Sequence, residues 1–256
     1  MTQAMPAPVF SLRGVSKNYG AVQALLGIDL DVHRGEVTAI CGDNGAGKST
    51  LIKIMSGAQA PSAGTLRLRG VEVRFRSPND ALEQGVATIY QELALAPRLS
   101  IAANVFMGSE LTRGFGLPIG RILDRPRMAT EARGYLKRLS VQIEDMNRPV
   151  EGLSGGQRQA VAIARALRWD AGIIIMDEPT AALGVKETAQ VLDLVRLLRD
   201  EGRTVILISH NMRDVAALAD RVIILRGGRK EHDRAVAGLA ADGISRLIMP
   251  MTAEAA

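Results

Sequence analysis

The chain has 256 residues, 47% of them hydrophobic, 23% charged and 3% aromatic, with a formal net charge of +5. That length and balance suit one folded domain, or one domain with an inserted lobe, and exclude a disordered chain. The single cysteine excludes an internal disulfide framework and suits a reducing compartment, and no apolar run approaches the roughly 18 residues that a membrane helix needs.

Met1 to Val9 lacks the basic, then apolar, layout of a signal peptide, so the chain is expected to stay inside the cell. β-type runs follow at Val9–Leu12, Gln23–Val32 and Gly64–Val73, around a buried-looking strand at Glu36–Cys41. That strand runs directly into Gly42-Asp43-Asn44-Gly45-Ala46-Gly47-Lys48-Ser49, and a helix of roughly Lys48 to Ser56 is expected behind it. G-x-x-x-x-G-K-[ST] between a strand and a helix reads as a phosphate cradle; outside that context it would be a Gly-rich turn with an incidental lysine. Gly42 frees the backbone to curl, and the amides of Asn44, Gly45, Ala46, Gly47, Lys48 and Ser49 are expected to wrap the β- and γ-phosphates. Lys48 is expected to neutralise phosphate oxygens, the Ser49 hydroxyl to ligate magnesium, and Thr50 to face the α-phosphate. Cys41, just before the loop, reads as a small core hydrophobe. Gln91 ends the apolar run Val86–Tyr90, where a strand would stop near the metal.

From about Leu93 to Ala166 the pattern turns helical, broken around Gly114–Pro118 and at Pro149, which predicts an inserted helical lobe. Inside it Leu153-Ser154-Gly155-Gly156-Gln157 is a Gly-rich turn opening a helix, so Ser154, Gly155 and Gly156 form a second anion site at a positive helix end. One small domain cannot bring this cap onto the first cradle, so the pair calls for a second copy of the chain. The apolar run Ile173–Met176 reads as a central parallel strand that delivers Asp177 and Glu178 to the C-terminal sheet edge, where open α/β sheets bind ligands. Asp177 is suited to hold magnesium through its waters, and Glu178 to polarise the water that attacks the γ-phosphate. Helix Lys186–Arg199, strand Thr204–Ile208, helix Met212–Ala219, strand Arg221–Leu225 and a hairpin near Gly227-Gly228 complete a strand–helix alternation. His210 follows the strand Thr204–Ile208 and Ser209 and reaches the same edge. The expected fold is α/β: a mainly parallel sheet with a helical insertion. One domain is expected over residues 8–240, with the insertion at 93–166, and residues 241–256 as a C-terminal helix and tail in which Leu239–Ile248 is helix-like and Met251–Ala256 frays.

Taken in order, these residues resemble the nucleotide-binding subunit of ATP-binding cassette (ABC) transporters, over about residues 8 to 235. The stretch Leu153-Ser154-Gly155-Gly156-Gln157-Arg158-Gln159 is the motif specific to that family. The resemblance implies a P-loop ATPase core with an N-terminal antiparallel β subdomain and a helical subdomain, and ATP with Mg2+ as ligands. It makes Tyr19 the aromatic that stacks on adenine, Gln91 a magnesium sensor that also contacts the permease, Glu178 the catalytic base and His210 the γ-phosphate switch. It further implies a peripheral protein on the cytoplasmic face of the inner membrane. There a separate transmembrane permease would dock its cytoplasmic helices on roughly Leu93 to Arg125. Ile89-Tyr90-Gln91-Glu92-Leu93, Asn104-Val105-Phe106-Met107-Gly108 and Glu178-Pro179-Thr180-Ala181-Ala182-Leu183-Gly184-Val185 are similar to the ATPases of bacterial monosaccharide importers of the ribose, xylose and fructose group. That likeness adds a periplasmic or extracellular sugar-binding protein as an indirect partner. Gly184 stands where most cassettes have an aspartate that connects the two subunits, and the single cassette, similar to the fructose type, implies a homodimer.

A charge of +5 permits nucleic acid, an anionic membrane surface or nucleotide phosphates as partners. With 3% aromatics and no block of like charges, nucleic acid is not expected. Two alternatives stay open: a soluble ABC ATPase acting on ribosomes or nucleic acid, which would usually have two cassettes or long arms, and a cassette serving a non-sugar substrate, whose catalytic residues would be the same.

Overall fold

The computed structural model describes residues 7–114 and 121–248. The chain opens with β1 (Phe10–Tyr19) and β2 (Val22–Val32), followed by β3 (Val37–Cys41), α1 (Lys48–Met55), β4 (Ala63–Leu68) and β5 (Val71–Val73). Next come α2 (Pro78–Glu83), β6 (Val86–Ile89), α3 (Ile101–Phe106), β7 (Thr112–Gly114), β8 (Arg121–Leu123), α4 (Arg125–Arg138) and α5 (Gly155–Arg168). The chain continues through β9 (Ile173–Asp177), α6 (Val185–Asp200), β10 (Thr204–Ile208), α7 (Met212–Leu218), β11 (Arg221–Arg226), β12 (Arg229–Ala235) and α8 (Ala241–Ile248).

The larger sheet has the order β12-β11-β3-β10-β9-β6, parallel throughout except for its edge strand β12. Its central strands are apolar on both faces because both faces are covered. Alternation then sorts their residues. Val37, Ala39, Cys41, Ile174, Met176, Val205 and Leu207 enter one core with residues of α3 to α7, while Ile40, Ile173, Ile175, Ile206 and Ile208 enter another with α1 and the second sheet. That second sheet, β2-β1-β4-β5, is antiparallel, and the residues it buries in this core include Phe10, Leu12, Leu25, Ile28, Leu30, Leu66 and Leu68.

Four local expectations change. β1 runs on past Leu12 to Tyr19, through register shifts that begin beside Gly14, whose φ of 58° bends the strand without ending it. Gly64–Val73 is two strands, because Arg69 and Gly70 both adopt positive φ (51° and 82°) and turn the chain back as a hairpin. The stretch 93–166 is not helical throughout: the exposed antiparallel pair β7–β8 separates α3 from α4, and its strands, three residues each, are too short to show a period. The helix α2, starting at Pro78 behind a Ser77 cap, adds an element that the hydrophobic pattern does not signal. Most of the Gly114–Pro118 break and the Met251–Ala256 tail lie outside the described residues.

Candidate functional site

Parallel register brings four strand ends to one edge. Ile208 pairs with both Ile40 and Asp177, and Met176 with Ile89, so Gly42, Asp177-Glu178, Ser209-His210 and Gln91 all leave the sheet together. They surround a cavity of about 410 Å³ lined by Ala24, Asn44, Gly45, Gly47, Lys48, Ser49, Thr50, Gln91, Asp177, Glu178, Ala181, Ile208 and His210.

The loop's shape needs its glycines. Gly42 has φ 150°, and a Cβ there would lie 2.2 Å from the Leu225 carbonyl oxygen. Gly47 has φ 103°, and a Cβ would come within 2.8 Å of both Leu25 and the Ala24 carbonyl. Buried Ala46 holds the loop instead of lining the cavity: its N–H donates to Asp43 O at 3.1 Å and its carbonyl accepts from Gly228 N–H at 3.2 Å. Lys48 Nζ donates to the carbonyls of Gly42 and Asp43 at 2.6 and 2.9 Å, so its charge sits inside the curl of the loop. Cys41 is fully buried, and that burial pushes its thiol up to about 12, leaving a neutral core side chain.

Glu178 adopts a left-handed backbone, φ 48°, a conformation that costs a non-glycine residue about 1–2 kcal/mol. Its N–H donates to Ile208 O at 2.9 Å, and its carboxylate, 15% exposed, accepts from His210 Nδ1 at 2.8 Å and from the His210 N–H at 3.4 Å. The imidazole is mostly exposed and thus aims a largely covered carboxylate into the cavity. Asp177 has its carboxyl raised above the usual carboxylate range, first by burial and then by the Glu178 charge, with Lys48 pulling the other way. The site therefore holds an under-compensated acid whose ionised form calls for a cation.

A raised native pKa means that the folded chain binds this proton more tightly than the unfolded chain does. Stability falls as pH rises from the unfolded through the folded value, and at neutral pH the ionised Asp177 destabilises the nucleotide-free protein. Asp177→Asn is expected to raise the melting temperature of that protein at about pH 7.5. The gain should shrink below about pH 4, the ordinary aspartate range, and calorimetry at the two pH values checks it.

The donors around the cavity fit magnesium: Ser49 hydroxyl, Gln91 amide and the single carboxylate of Asp177, a small set of hard oxygens that leaves positions for phosphates and water. Among the described residues there is no cluster of three His, Cys, Asp or Glu that would hold a metal unaided.

Ser154, Gly155 and Gly156 are absent from this cavity. Ser154 caps α5, its Oγ accepting from Gln157 N–H at 3.3 Å while Gln157 Oε1 accepts from Ser154 N–H at 3.1 Å. The reciprocal pair gives Gln157 a local structural task. Gly155 lines a neighbouring cavity of about 290 Å³, and Gly156 a further one of about 490 Å³. Tyr19 also stands outside, 43% exposed at the end of β1, with its hydroxyl on Gln59 and Lys17 Nζ 5.5 Å from its ring. Residue-by-residue reading missed Ala24 and Ala181 in the cavity wall, small residues that carry no chemical signal. It also missed Arg165 of α5, which donates to the carbonyls of Ala94 and Leu93 at 2.9 and 3.1 Å and ties that helix to the turn after Gln91.

Comparison with known proteins gives the family. The ABC transporter family matches residues 25–181. The fructose import ATP-binding protein FrcA of Rhizobium meliloti is 49% identical over 87% of this chain and 86% of its own length. The xylose/arabinose import ATP-binding protein XylG of Sulfolobus acidocaldarius is 47% identical over 86% of each. Among solved structures, the dimeric post-hydrolysis state of the ATP-binding cassette MJ0796 bound to ADP and Pi superposes with a TM-score of 0.73 at 26% identity, over 90% of this chain and all of that one. The chain belongs to the ABC transporter family, as one of its ATPase cassettes.

Proposed function

We propose that this chain binds and hydrolyses ATP to power import of a monosaccharide through a separate membrane permease, working as a homodimer. The observation that carries the hydrolytic part is the convergence of Lys48, Ser49, Thr50, Gln91, Asp177, Glu178 and His210 on one cavity from which Ser154, Gly155 and Gly156 are missing. A second copy, head to tail, would bring its own Ser154, Gly155 and Gly156 to close that cavity, and each ATP would then lie between two chains. The dimeric form of the MJ0796 cassette supports this arrangement.

Residues 8–240 act as one ATPase domain, with the insertion at 93–166 and a C-terminal helix and tail at 241–256. The amides of Asn44, Gly45, Gly47, Lys48 and Ser49 and the Lys48 ammonium receive the phosphates, with Ala46 shaping the loop, Thr50 facing the α-phosphate and Tyr19 the adenine ring. Magnesium, when held by Ser49, Gln91 and Asp177, supplies charge neutralisation across the phosphates. Glu178, aimed by His210, accepts a proton from the attacking water, and the exposed His210 also faces the γ-phosphate. Gln91 and the following segment to Arg125 would meet the permease. Among the described residues no helix is long and apolar enough to cross a membrane. The import relatives support peripheral attachment, which we place on the cytoplasmic face.

The sugar class rests on the two import relatives, at 49% and 47% identity. Both are matched over 86% of their length, so size does not choose between a hexose and a pentose. Reconstitution of the chain with its permease and solute-binding protein in proteoliposomes tests the proposal. Turnover is expected to rise severalfold with one of fructose, xylose, arabinose or ribose. Stimulation by an amino acid, or by RNA without the permease, would reject it.

A further inference from the structure

Glu187 lies in the first turn of α6, three residues after Gly184. Its two carboxylate oxygens serve different parts of the chain. Oε1 accepts the backbone N–H of Gly155 at 2.9 Å, and Oε2 accepts the backbone N–H of Gly184 at 3.3 Å. Gly155 opens α5, and Gly184 closes the loop that starts at Glu178. The two ends are in close contact, since a Cβ on Gly155 would come within 2.4 Å of Leu183 Cδ2.

The loop between Glu178 and Gly184 is built to transmit displacement. Ala181 N–H donates to Glu178 O at 3.0 Å and Leu183 N–H to Thr180 O at 3.3 Å, two successive turns with little slack. Thr180 Oγ1 donates to buried Asp214 Oδ2 at 2.7 Å, which pins the loop's middle to the helix that follows His210. Gly184 has no side chain and offers only its N–H, so a polar link from this end of the loop to α5 runs through Glu187.

We propose that Glu187 is a positioning residue that couples the two ATP sites of the dimer; this rests on the composite-site reading above. In a head-to-tail pair, Glu178 of one chain faces the ATP on that chain's own phosphate loop, whereas Gly155 of the same chain caps the partner's ATP. The Glu187 carboxylate joins these two ends. A shift of Glu178 during hydrolysis at one site is passed to the cap of the other, and closure of the cap is passed back, as linkage requires.

The test uses the full chain with Glu187→Gln and Glu187→Ala. The glutamine variant keeps size and packing but has one acceptor oxygen for two N–H donors. ATP binding to the isolated chain, titrated with a fluorescent ATP analogue, is expected to stay within about twofold of the parent, because Glu187 is outside the phosphate cavity. The Hill coefficient of ATP hydrolysis is expected to fall from near two toward one in both variants, with turnover lower by about tenfold. A parent-like Hill coefficient in the glutamine variant overturns the proposal, as does one near one in the parent, and so does lower turnover with a lower melting temperature but unchanged cooperativity. Failure of a Glu178→Gln chain to dimerise on adding ATP, seen by size-exclusion chromatography, rejects instead the composite site itself.

Discussion

Glu178→Gln is expected to bind ATP as the parent does, to lose roughly 10²–10⁴-fold in turnover, and to accumulate as an ATP-bound dimer. The substitution is close to isosteric. An amide oxygen still accepts from His210 Nδ1 and the His210 N–H, now at 2.8 and 3.4 Å from the carboxylate, and the left-handed backbone at residue 178 is asked of either side chain equally. Loop, lysine and metal donors are untouched, so the phosphates meet the same surroundings. What disappears is the basic oxygen that takes a proton from the attacking water, together with the negative charge that raises Asp177. Both changes favour retained nucleotide. If the closed dimer opens only after the γ-phosphate is cleaved, blocking cleavage traps it. Single-turnover hydrolysis and size-exclusion chromatography in ATP check the two halves independently, and a variant that hydrolyses at the parental rate would remove Glu178 from the chemistry.

The strain at Glu178 supports the same assignment from another direction. A glycine would meet the backbone demand of φ 48° at no cost, and a surface glutamate without a task would gain nothing from sitting there. The neighbouring Ala182 is also left-handed, φ 60°, so the segment leaving the cavity is held in a shape that local preference opposes. Such a segment needs outside contacts, which Ile208, His210, Asp214 and Glu187 supply.

Legibility along the chain follows the range of the interactions involved. Ile173–Met176 and Thr204–Ile208 are readable because two-sided burial writes an unbroken apolar run, and the strand–loop–helix around Gly42–Ser49 because its glycines answer local steric demands. The carboxylates and His210 follow from those strands, since parallel register carries their ends to one edge. The continuation of β1 beyond Gly14 is not readable, because its pairing with β2 and β4, not its own composition, keeps it extended. Glu187 illustrates the limit most clearly. Its spacing from Gly184 suggests an ordinary helix start, while its bond to Gly155 spans 32 residues and exists only once α5 and α6 have packed. Thr180 and Asp214, 34 residues apart, are hidden for the same reason.

Lys48→Ala and Ser154→Arg, each nearly inactive alone, are expected to restore hydrolysis only in part when mixed, to below the level that two independent sites would give. Lys48→Ala removes the ammonium now held by the loop carbonyls of Gly42 and Asp43, leaving phosphate oxygens unneutralised, and should weaken ATP binding by about two orders of magnitude at the loss of a charge-assisted contact. Ser154→Arg should leave binding to the single chain intact, because residue 154 is outside the phosphate cavity, yet place a bulky cation where the partner's nucleotide must approach and remove the α5 cap. A mixed dimer concentrates both defects in one composite site. The other site keeps the Lys48 of one chain and the Ser154 of its partner. At equal amounts half of the dimers are mixed, so independent sites would return about a quarter of the parental rate, given a two-fold arrangement of identical patches. Strict coupling through both sites would return almost none. Recovery near a quarter would therefore count against obligatory coupling through Glu187 while upholding the shared site. Recovery well below it, together with ATP-dependent association of the mixed chains, would show that closure at one site waits on the other.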